Sequence, residues 1–120
     1  MVGRSGLLAT TLCLTLVALA SLASLAPTTQ AARQCAVPDY PGSGYFTSLS
    51  VKRTSCATGG RLARAYYRCR TENGKAGRCR RGVMGFSCSE TRSSIPTELN
   101  ARVRCKRGAK RVIHTYQQNL

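Results

Sequence analysis

From Tyr45 onward the chain changes its hydrophobic period several times. Over Tyr45 to Arg53, residues Tyr45, Thr47, Leu49 and Val51 alternate with Phe46, Ser48, Ser50 and Lys52, a period of two that predicts a strand. Thr54-Ser55 follows as a helix start, because a hydroxyl there accepts a bond from an unpaired backbone N–H. From Ser55 to Arg70 the period is helical. At 100° per residue, Cys56, Gly59, Leu62, Ala63, Tyr66, Tyr67 and Cys69 share one broad face, and Arg61, Arg64 and Arg68 share the opposite one. The Gly59-Gly60 pair costs roughly 1 kcal/mol per Gly relative to Ala, and suits a close approach to a neighbouring element.

Residues 71–82 read as a loop around the Asn73-Gly74 turn signal. Val83 to Glu90 is a predicted strand with Met84, Phe86 and Cys88 on one face, and residues 91–97 are a predicted exposed connection. The cleanest alternation runs from Glu98 to Lys106, where Leu99, Ala101, Val103 and Cys105 oppose Glu98, Asn100, Arg102, Arg104 and Lys106. Arg107-Gly108-Ala109-Lys110 is a hairpin turn into a last strand, Arg111 to Gln117, with Val112, His114 and Tyr116 on one face. The order is β-α-β-β-β. A lone amphipathic helix must bury its apolar face, so the expected fold class is α+β: one helix packed on an antiparallel sheet.

The residues before this pattern divide in two. Met1 to Gly6 carries one cation, Arg4; Leu7 to Ala26 is uncharged and rich in Leu and Ala; Pro27 ends it, and Thr29-Gln30-Ala31-Ala32 supplies small residues. This order is that of a secretory signal peptide over 1–32, with cleavage after Ala31 or Ala32. A run of this length also suffices for an uncleaved anchor, but its scattered Ser and Thr and its small-residue exit favour cleavage. Thr10-Thr11-Leu12 is a poor lipobox for Cys13. Residues 33–44 form a Pro- and Gly-containing lead-in loop, and 45–120 the domain proper.

Export changes the meaning of the cysteines. Seven less Cys13 leaves Cys35, Cys56, Cys69, Cys79, Cys88 and Cys105, an even set that implies a disulfide-stapled fold in a secreted chain. Six cysteines allow fifteen pairings. Neighbouring strands favour Cys88–Cys105, closure of the basic loop favours Cys69–Cys79, and Cys35–Cys56 remains. No C-x-x-C pair exists and His114 is the only histidine, so zinc ligation and metal cofactors in general are not expected. Staples are needed because the exported part holds two Phe, no Trp and few large aliphatics. Each contributes on the order of 2–4 kcal/mol against a net stability of roughly 5–15 kcal/mol.

Charge narrows the function. Nineteen Lys and Arg face four Asp and Glu, a formal +15, and loss of Arg4 leaves +14. Fifteen of the nineteen are Arg, which binds phosphate and carboxylate with a planar fork. Codon bias accounts for Arg over Lys but not for the scarcity of acids. The candidate polyanion-binding set is Arg61, Arg64 and Arg68 on the helix, Arg78, Arg80 and Arg81 in the loop, and Arg102, Arg104, Lys106, Arg107, Lys110 and Arg111 on the last hairpin. If they converge, they attract wall teichoic acid, anionic lipid headgroups or extracellular nucleic acid. The bland alternative is a solvated surface that keeps the domain soluble.

Two catalytic or inhibitory readings compete. A secreted ribonuclease needs a His and a carboxylate about a phosphate, which would be His114 with Glu90 or Glu98, and Arg102 or Arg104 for the developing charge. A protease-inhibitor module would offer Arg92 from the connection Arg92-Ser93-Ser94-Ile95-Pro96. No thiol nucleophile or nucleophile elbow is expected, so no residue is assigned a catalytic role.

The strings Gly44 to Val51, Thr54-Ser55-Cys56-Ala57-Thr58-Gly59, Gly85-Phe86-Ser87-Cys88 and Val103 to Gly108 resemble those of small exported cysteine-containing proteins of high-GC Gram-positive bacteria. There, a strand leads into Thr-Ser-Cys at a helix start, and Gly-aromatic-x-Cys and Cys-x-x-Gly follow on later strands. The resemblance spans most of 44–116. It implies the β-α-β-β-β order and export, and transfers no catalytic or binding residue.

Overall fold

A computed structural model describes Gly3, Ser21 and residues 31–120, so nearly all of the predicted signal peptide lies outside the described residues. Six elements follow: β1 (Arg33–Gln34), β2 (Gly44–Lys52), α1 (Cys56–Thr71), β3 (Ser87–Ile95), β4 (Glu98–Arg107) and β5 (Lys110–Asn119). The strands form one antiparallel sheet in the order β1-β2-β5-β4-β3, with α1 against β2 and β5. The fold is α+β, one helix on an antiparallel sheet, as the pattern of the chain predicts.

The helix begins where a cap is available. Ser55 is extended, and its hydroxyl accepts from the Thr58 amide at 3.1 Å. Its apolar face meets the sheet closely at Gly59, where an added Cβ would lie 2.6 Å from Val51 Cγ1. Leu62, Ala63, Tyr66 and Cys69 continue that face onto Leu49, Val51, Val103, Val112 and Tyr116 to form the core.

Three disulfides join Cys35 to Cys56, Cys69 to Cys79 and Cys88 to Cys105. These are the expected pairs. The first ties the lead-in to the helix start, the second ties the helix end to the basic loop, and the third links two neighbouring strands.

Four local expectations are corrected. The lead-in holds a short strand, β1, because Arg33 and Gln34 pair with Val51 and Ser50 along the free edge of β2. In β2 the register shifts between Phe46 and Ser48, and this bulge reverses the alternation. Phe46, Leu49 and Val51 are therefore buried, while Tyr45 and Thr47 are exposed, contrary to the expected face. Met84 does not share the face of Phe86. Val83 and Phe86 bond each other's backbone across Met84 and Gly85, both at positive φ, and this reversal leaves Met84 exposed. The strand predicted over Val83 to Glu90 therefore starts at Ser87, and continues through the supposed connection to Ile95. The turn is only Pro96-Thr97, because the whole Ser87–Ile95 run finds partners on β4.

The tight helix–sheet approach has a testable sign. Gly59→Ala should lower stability by about 1–3 kcal/mol in denaturant unfolding, because Val51 is a short buried side chain with no room to yield. Gly60→Ala, whose Cβ would meet only Pro38 at 3.8 Å, should instead raise it by up to about 1 kcal/mol.

Candidate functional site

The helix covers one face of the sheet, and alternation sends every second strand residue to the other. Cross-strand pairing aligns Lys52 with Arg111 and Arg111 with Lys106 in one row. The next row aligns Ser50, Ile113, Arg104 and Ser89. Arg102 lies one step further along β4, opposite Thr115. Five cations thus share a face with no helix upon it. Along β4, successive cations stand about 6.8 Å apart, two residues of strand. Ser87, Ser89, Arg104, Lys106, Arg111 and Ile113 line a shallow depression of about 450 Å³ on this face. Among the described strand residues the only carboxylate on this face is Glu98, outside these rows at the far end of β4, which accepts bonds from Asn100 and Gln117. Among the described residues Arg102, Arg104, Lys106 and Lys52 make no ion pair.

The remaining basic candidates do not join them. Arg61, Arg64 and Arg68 lie on the outer side of α1, across the molecule from the open face. Arg81 forms a bidentate pair with Glu72, with bonds of 2.6 and 2.7 Å, and that bond holds the Glu72 carboxyl below its ordinary range. Arg78 lies 3.7 Å from Glu90, and Arg80 is exposed. At the hairpin tip Arg107 packs on Gly85 and donates to the Met84 carbonyl, and both it and its partner Lys110 belong to the helix side of the sheet by register. The twelve candidates therefore form separate groups, of which Arg102, Arg104, Lys106 and Arg111 are one. Lys52 completes that group. Its signal was its place opposite Val51 in a period-two strand.

The helix side holds a buried polar network that periodicity alone places poorly. Arg70 is fully buried. Its guanidinium lies 4.2 Å from the Tyr116 ring centre and donates to the Lys75 carbonyl at 2.7 Å, to Gln118 Oε1 at 3.1 Å and to Tyr40 Oη. Tyr116 donates to Glu90, which also holds Arg92. Burial raises the Tyr40 hydroxyl to about 12 and pushes Tyr116 higher still, with Glu90 adding to the latter, so both stay protonated donors. The helical wheel carried the signal for Arg70, which falls 80° from Leu62, inside the apolar face.

This geometry removes the residues on which the two competing readings rest. His114 is buried among Phe46, Tyr66 and Tyr116, and neither ring nitrogen has a hydrogen-bond partner. Glu90 lies in the same cross-strand row but beyond Val103, under the helix layer, and Glu98 is on the opposite face. No phosphate reaches His114 together with either. Arg92 is not on a free loop. It sits in β3 and donates to Glu90 and to the Ala76 and Gly77 carbonyls, so it cannot extend into a protease pocket without breaking four contacts. Among the described residues no group of three His, Cys, Asp or Glu side chains gathers as a metal site.

Desolvation, with the nearby Arg70 charge, lowers the His114 pKa from 6.5 to about 4. A depressed histidine pKa means that the unfolded chain binds the extra proton first as pH falls. Stability should therefore be flat above pH 6.5 and fall by about 3 kcal/mol between 6.5 and about 4. Denaturant titrations across that window check this, and His114→Leu should remove the slope while leaving the protein at least as stable at pH 7. No protein-family model, curated protein sequence or solved structure matches this chain.

Proposed function

We propose that the protein is an exported, non-catalytic binding module for phosphate-bearing anionic polymers, of the kind found in the cell envelope or free outside the cell. The observation that carries this reading is the open sheet face, where Lys52, Arg102, Arg104, Lys106 and Arg111 occupy adjacent register positions with no carboxylate among them. A helix-free sheet face is rigid, so its cations are held apart at fixed spacing. The ordering cost of binding then falls mainly on the polymer. The row of side chains along β4 suits a chain that lies parallel to the strand and meets one cation per charged unit. Teichoic acid, a surface of anionic lipid headgroups and single-stranded nucleic acid all present such units.

Export is supported by the predicted signal over 1–32 and by three disulfides, which persist in oxidising compartments. Among the described residues no helix is long and apolar enough to cross a membrane. The resemblance to small exported proteins of high-GC Gram-positive bacteria points the same way.

Retention of the oxidised, secreted protein on immobilised teichoic acid, anionic vesicles or a homopolymeric single strand tests the reading. On the single strand, with about five cations engaged, log affinity should fall against log salt with a slope near −3.5. The triple change Arg102→Gln, Arg104→Gln, Lys106→Gln should make that slope shallower by about 2. The matching change of Arg61, Arg64 and Arg68 should leave it nearly unaltered. Equal effects of the two triples would show that net charge, not the sheet face, does the binding.

A further inference from the structure

The two edges of the sheet are treated differently. At the β2 edge, β1 pairs with Ser50 and Val51, and the Cys35 amide donates to the Leu49 carbonyl at 2.9 Å. The Cys35–Cys56 disulfide pins that cover in place. At the opposite edge, β3 runs nine residues in unbroken register with β4, without bulge, lysine or proline. Those are three of the devices by which edges are protected; a fourth, inward-pointing charge, is present as Glu90 and Arg92, but the two neutralise each other in an ion pair. Among the described residues, no backbone group of Ser87–Ile95 bonds to any segment other than β4.

Which groups are free can be read from the register. Cys88 and Cys105 stand opposite with Cα atoms 4.0 Å apart, the close spacing of a non-hydrogen-bonded pair. The backbone groups of Cys88 therefore point away from β4, and by alternation so do those of Glu90, Arg92 and Ser94. The strand also differs in charge from the rest of the chain. One Glu and one Arg make it neutral within a protein of formal charge +15.

The geometry points to β3 as the pairing edge for a second copy of this chain, joined antiparallel about a two-fold axis through Thr91. In this register Glu90 faces Arg92 of the second copy, and Cys88 faces Ser94. The residues brought opposite are those whose backbone groups are free, and they form about eight inter-strand bonds. Shifting the axis to Glu90 or Arg92 would oppose like charges. Shifting it by half a step would put the two helices on opposite sides of the sheet. The favoured register keeps both helices on one side and produces a ten-stranded sheet whose two basic faces are continuous. A self-complementary patch of this kind is what a closed dimer requires. This pairing is independent of polymer binding.

The test is sedimentation of the oxidised secreted protein over a concentration series, in salt sufficient to screen the net charge. The wild type should pass from monomer to dimer, and the Glu90 and Arg92 amides should gain protection from hydrogen exchange as it does. Ser94→Pro removes an outward N–H without touching the β3–β4 pairing, and should weaken the dimer about tenfold or more. Thr91→Lys places like charges at the axis and should do the same, which covers the case in which the proline variant fails to fold. A wild type that stays monomeric throughout, or a dimer that survives both substitutions, overturns the proposal. Polymer retention by monomeric Ser94→Pro reads the binding function separately, so the failure of one does not imitate the failure of the other.

Discussion

One sixteen-residue helix can cover only one side of a five-stranded sheet, and most of this protein's character follows from that limit. Among the described residues, the covered side receives most of the large apolar groups, while Val37, Tyr45, Met84, Ile95 and Leu120 are exposed. Close approach is needed for that cover to exclude water, and Gly59 permits it by leaving Val51 and Leu49 space against the helix backbone. The disulfides at Cys56 and Cys69 hold the two ends of the helix to the segments around it. The uncovered side has no apolar layer to meet and is free to be cationic.

The core is small enough that a charged network completes it. Arg70 enters the helix face that packs on the sheet and is held by tyrosine rings, by Gln118 and by a loop carbonyl. Glu90 and Arg92 close the other flank through Tyr116 and the Ala76–Gly77 backbone. Buried charges of this kind are costly unless each partner is supplied. Here the partners come from both ends of the domain, so the network links the lead-in, the helix, the loop and two strands, β3 and β5. His114, without polar partners in the same layer, is a packing residue.

The surface charge is distributed rather than pooled. Acids are scarce, yet two of the described ones are spent where a cation would otherwise stand free: Glu72 on Arg81, and Glu90 on Arg92 and Arg78. On the sheet face five cations are aligned across three strands, and none of them is in an ion pair among the described residues. A flat array on rigid strands differs from a flexible basic tail, because its spacing is set by the pleat.

Much of the architecture was legible from periodicity. The strand around Leu99 to Cys105, the helix from its Ser55 cap and the Gly108-Ala109 turn follow from local pattern, and the expected disulfide pairs, the third of them the remainder, agree with the structure. What required the tertiary structure was whatever depends on a distant partner. The bulge at Thr47 reversed the faces of β2, β4 extended β3 through Ser93 and Ser94, and the helix divided twelve similar cations among separate surfaces. Residue type and spacing therefore determined the fold class and that the chain is stapled, while the structure selected the pairing from among fifteen. The choice of which arginines act together belonged to register and layer, because a side chain's reach is decided by what its strand is paired with and what lies above it.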